Sequence, residues 1–97
     1  MYTIHEFAIM LRAIRVFGED SQKKMLLEEI SELQKEICKS WRGADNVDHI
    51  AEEIADVEIM LEQLKIMTDC SSRVDTIREQ KLRRLEQKLN EKKENGK

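Results

Sequence analysis

The chain has 97 residues, no proline, three glycines and 38% Asp, Glu, Lys and Arg, with a net charge near −3. That length points to one domain, and a proline-free chain rich in Glu, Lys, Leu and Arg is expected to be all-α. The near balance of charge speaks against a general nucleic-acid binder, and no apolar run approaches the ~20 residues of a membrane span.

Apolar spacing predicts four helices. The first runs from about Thr3 to Phe17. Thr3 and Glu6 have capping-box spacing, Tyr2 and Phe7 can form the hydrophobic staple, and Gly18 is a stop. Ile4, Phe7, Leu11 and Ile14 share one face. Asp20 or Ser21 is the expected cap of a second helix reaching Ser40, with the stripe Leu26, Ile30, Leu33 and Ile37 and with Trp41 one turn on. Arg42 to Asp45 read as a connection, and Asp45 or Asn46 as the next N-cap. The third helix reaches about Met67 with the stripe Ile50, Ile54, Val57, Leu61 and Leu64. Thr68 to Ser71 break the pattern, and Ser72 with Asp75 starts a fourth helix carrying Val74, Ile77, Leu82, Leu85 and Leu89.

The short connections predict an antiparallel helical bundle over residues 1–90, followed by a charged tail over 91–97 that is expected to fray. Four thin stripes make a small core, so a second copy of the chain is expected to complete it. Cys38 and Cys70 lack the spacing of a zinc site or a redox pair. No basic segment followed by a long apolar run opens the chain, and a cytoplasmic protein with two reduced thiols is expected.

The informative feature is a near-repeat. Glu28-Glu29-Ile30-Ser31-Glu32-Leu33 in the second helix matches Glu52-Glu53-Ile54-Ala55-Asp56-Val57 in the third. At about 100° per residue, Glu29 and Glu32 lie on one edge of their stripe, and Glu53 and Asp56 stand in the same relation to theirs. Packing the two helices on those stripes would bring four carboxylates together. Glu28 and Glu52 point further away, while Glu36, one turn on, is a further candidate.

Such a cluster repels itself strongly unless a hard cation neutralises it. Oxygen-only ligands suit magnesium, manganese or calcium, and magnesium typically shares its coordination with substrate phosphates. Neither His5 nor His49 stands three residues after an acid, which disfavours di-iron and zinc sites. Positive charge for phosphates is available from Lys81, Arg84 and Lys88 on one edge of the fourth helix. Lys39 and Arg42, flanking Trp41, could contact phosphate or base. Trp41 itself reads more naturally as a core plug than as a base-stacking platform. His49 reads as a helix-start residue, and Cys38 and Met60 as core or core-edge residues.

Glu-x-x-Glu followed after a spacer by Glu-x-x-Asp resembles the signature of the all-α, MazG-like nucleoside triphosphate pyrophosphohydrolases. Here it is Glu29-Ile30-Ser31-Glu32 and Glu53-Ile54-Ala55-Asp56, and the surrounding residues, together with Lys81-Leu82-Arg83-Arg84-Leu85, are similar to that family too. The resemblance spans the second to the fourth helix. It implies magnesium (or manganese) held by Glu29, Glu32, Glu53 and Asp56, which would also form the catalytic site. It further implies cleavage of nucleoside triphosphates between the α- and β-phosphates and a homodimer or tetramer; the charge balance adds the expectation of no nucleic-acid polymer as partner. Two other readings fit the same residues: a non-catalytic helical oligomerisation or interaction protein, and a related helical hydrolase such as one acting on phosphoribosyl-ATP.

Overall fold

The computed structural model describes residues 2–95, and the side chains of 2–92. The chain forms four helices, α1 (Ile4–Phe17), α2 (Glu19–Trp41), α3 (Val47–Thr68) and α4 (Ser71–Asn95), with no strand among the described residues.

Local chemistry explains most of the boundaries. The Thr3 hydroxyl accepts from the Glu6 amide at 3.1 Å, and the Glu6 carboxylate accepts from the Thr3 amide at 2.8 Å. The capping box closes as expected, and it holds the Glu6 carboxyl below its ordinary pKa. Tyr2 stacks on Phe7 with ring centroids 6.1 Å apart. Gly18 ends α1 at φ +92° and ψ 152°, a conformation open in practice only to glycine. The same residue begins α2, so neither Asp20 nor Ser21 is its cap: both lie inside the helix, which starts at Glu19. A single residue outside helical geometry thus joins the two helices. Asn46 is the N-cap of α3, but its side chain makes no capping bond. α4 begins at Ser71, and residues 91–95, expected to fray, continue it as helix. The expected fraying of residues 96 and 97 lies outside the described residues.

α2 and α3 pack as a long antiparallel hairpin, and α1 packs against both of its helices. The buried apolar core is Met10 and Ile14 from α1, Leu26 from α2, and Val57 and Met60 from α3. The fourth stripe does not join it. Val74 is half-buried, but every residue from Asp75 to Lys92 is exposed, so α4 leaves the bundle after its first turn. The radius of gyration is accordingly 17.2 Å, against about 12.5 Å for a compact domain of this length.

Candidate metal centre

The seam between α2 and α3 is rotated relative to the apolar stripes. In α2 the seam residues are Gln22, Leu26, Glu29, Leu33 and Glu36; opposite them are Asn46, the N-cap of α3, and Ile50, Glu53, Val57 and Met60 within it. All are buried or half-buried, and their alternating spacing of four and three residues is that of a coiled-coil seam. The acids read as bordering the stripe therefore stand within the contact. Ile30, Ile37, Ile54 and Leu61, read as stripe residues, are 41–49% exposed on the adjoining face.

Three of the four predicted acids converge. One carboxylate oxygen from each of Glu29, Glu53 and Asp56 lies within 4.8 Å of the others. Glu29 and Glu53 are half-buried, and Asp56 is exposed on the flank. Glu53 Oε2 is buried and has no hydrogen-bond partner among the described residues. Removal from water, then the close approach of the Glu53 carboxyl and the charge of Asp56, push the Glu29 pKa up to about 7. Glu32 is the exception: it is exposed one turn along α2 and outside this cluster.

Glu36, the possible fifth participant, has another role. It accepts from Asn46 Nδ2 at 2.9 Å and from Lys39 Nζ at 3.1 Å, and the same Asn46 amide reaches the Glu36 backbone carbonyl at 3.0 Å. The Asn46 bond foremost, and then that of Lys39, hold the Glu36 carboxyl below its ordinary pKa. At the other end of the hairpin Gln22 Nε2 donates to Gln63 Oε1 at 2.6 Å. Reading apolar stripes alone misses Gln22, Asn46 and Gln63. A signal was present: Gln22, Glu29 and Glu36 recur every seven residues in α2.

The cationic candidates are not brought to the acids within one chain. Lys81, Arg84 and Lys88 lie on the exposed part of α4. Lys39 and Arg42 line a groove of about 390 Å³ on α2, together with Lys35, Ser31, Gln34 and Cys38. Trp41 is 88% exposed, which overturns its reading as a core plug: α2 ends at it, and among the described residues its neighbours from Ile37 to Asp45 are exposed as well. Cys38 is likewise exposed rather than at the core edge. Met60 is buried as read, and His49 is exposed in the first turn of α3.

A second groove, of about 530 Å³, lies between α1, α3 and the start of α4 and contains none of the predicted site residues. Among the described residues no helix is long and apolar enough to cross a membrane. Compared with protein-family models, curated proteins and solved structures, the chain matches none.

Proposed function

We propose that the chain is a magnesium-dependent nucleoside triphosphate pyrophosphohydrolase acting in the cytoplasm, with Glu29, Glu53 and Asp56 as the metal ligands. The observation that carries the reading is the convergence of these three carboxylates, together with a buried Glu53 oxygen that has no hydrogen-bond partner among the described residues. Three hard oxygen donors and an unsatisfied acceptor fit a divalent cation of the magnesium or manganese class. Bound there, such a cation would polarise phosphate oxygens and offset the charge of a departing pyrophosphate.

The chain's own residues would divide the remaining work. Glu32 lies one turn from the cluster and is exposed, so it is free to accept a proton from a water attacking the α-phosphorus. The new bond joins that water oxygen to the α-phosphorus, the α–β bridging bond breaks, and monophosphate and pyrophosphate result. Lys81 and Arg84 would steady the departing phosphates. Their place on α4, clear of the bundle, favours service to the site of a second copy in a homodimer or tetramer.

The test is pyrophosphate release from ribo- and deoxyribonucleoside triphosphates with magnesium, comparing the wild type with Glu53→Gln. Release that the substitution abolishes supports the reading. No release from any triphosphate, or equal release from the variant, overturns it; release only from phosphoribosyl-ATP would assign a related hydrolase.

A non-catalytic oligomerisation role is the second reading. It is favoured by the exposed apolar rows Ile30, Ile37 and Ile54 of the hairpin and Ile77, Leu85 and Leu89 of α4. On that reading the chain associates but releases no pyrophosphate.

A further inference from the structure

The α2–α3 seam holds three polar levels. Glu36 meets Asn46, Glu29 meets Glu53, and Gln22 meets Gln63, whose side chain folds back toward Met60 Sδ at 3.7 Å. Seven residues separate Glu36 from Glu29 in α2, and seven separate Asn46 from Glu53 in α3. Because α2 and α3 run antiparallel, pairing at the first level fixes pairing at the second. Seven residues are two helical turns, about 10 Å along the axis and nearly the same face.

The clamp at the first level is built for orientation. Asn46 is 8% exposed and Glu36 9%, and one Asn46 amide reaches both the carboxylate and the backbone carbonyl of Glu36. A two-point contact to one residue restrains rotation as well as sliding. The Asn46 side chain is spent on this contact instead of capping α3, although it stands at the N-cap. Apolar layers would tolerate small slides and rotations of one helix on the other, whereas a buried polar pair penalises each of them.

We infer that Asn46 and Glu36 are positioning residues for the metal centre: their clamp across the seam sets the register and rotation that place Glu29 level with Glu53 and Asp56. The inference rests on the metal-binding reading of those three acids. A merely structural role would show in stability alone.

The test compares manganese binding, followed by electron paramagnetic resonance of the free ion, with thermal unfolding followed by circular dichroism. In Glu36→Leu/Asn46→Leu the level becomes apolar and the clamp is lost. Helicity and melting temperature are expected to hold or rise, while manganese affinity falls about tenfold or more, the scale seen when groups that orient ligands are removed. Glu36→Gln removes the charge but keeps an acceptor for Asn46, and its affinity is expected to stay within about twofold of the wild type. A double variant that binds manganese as tightly as the wild type overturns the inference. So does Glu36→Gln falling as far as the double variant, because the effect would then be charge. A wild type that binds no manganese overturns the metal reading itself, and the positioning role with it.

Discussion

Gln22 and Gln63, far apart in sequence, join across the base of the α2–α3 hairpin by an amide–carbonyl bond of 2.6 Å, and both are buried. The Gln22 amide donates and the Gln63 carbonyl accepts where little water reaches. Gln63→Ala strands the Gln22 amide and is expected to cost about 1–3 kcal/mol, whereas Gln22→Leu/Gln63→Leu replaces both partners and is expected to be near neutral. Urea unfolding of the three proteins checks this; equal losses in the single and double variants would contradict it.

The raised pKa of Glu29 makes stability depend on pH in a defined direction. A carboxyl moved from 4.5 to about 7 binds its proton more tightly in the folded state than in the unfolded one. Its contribution is fully present below the unfolded value and is lost as pH rises through about 7. Without divalent cation, the melting temperature is therefore expected to be lower at pH 8 than at pH 5.5, and Glu29→Gln should flatten the dependence. On the proposed reading magnesium would bind the ionised form, so a stabilising effect of magnesium should grow over the same interval. Melting curves with chelator and with magnesium read both trends.

On the proposed reading, Glu32 would separate holding a metal from performing the reaction. It stands outside the cluster formed by Glu29, Glu53 and Asp56. Glu32→Gln is expected to bind manganese nearly as the wild type does while kcat falls about a hundredfold or more. Glu53→Gln should lose both. Loss of manganese binding in Glu32→Gln would restore the four-acid site expected from the motif.

Gly18 is the whole connection between α1 and α2. A Cβ there would meet nothing within 4 Å, so the objection to a side chain is the backbone at φ +92° alone. Gly18→Ala is expected to destabilise by about 1–3 kcal/mol without disturbing packing. Chemical denaturation measures the loss, and a neutral result would show that the turn relaxes.

α4 carries Ile77, Leu82, Leu85 and Leu89, all about half exposed or more, and among the described residues no helix packs extensively on α4. Buried in a second copy, these side chains are expected to make the protein sediment well above its 11.5 kDa. Leu85→Glu/Leu89→Glu should reduce the sedimenting mass while α1–α3 stay folded. A wild type that sediments as a single chain would remove the role proposed for Lys81 and Arg84 in a neighbouring site.

What the sequence determined by itself was local. Helix content follows from composition, and the start of α1 from Thr3 and Glu6, whose partners are three residues apart and need no tertiary contact. The stop at Gly18 follows from backbone sterics. The matched acids were legible because helical periodicity places Glu29, Glu53 and Asp56 beside apolar residues. Tertiary structure decided which side of each stripe meets its neighbour, and periodicity leaves that choice open by tens of degrees. The rotation brought Glu29 and Glu53 into the seam, left Glu32 outside the cluster and left Ile30 and Ile54 half open. It also gave Asn46 a partner ten residues away instead of its own helix end. The apolar row of α4 was visible in sequence, but whether it had a face to pack on was not: α1 and the α2–α3 hairpin make their contacts without it.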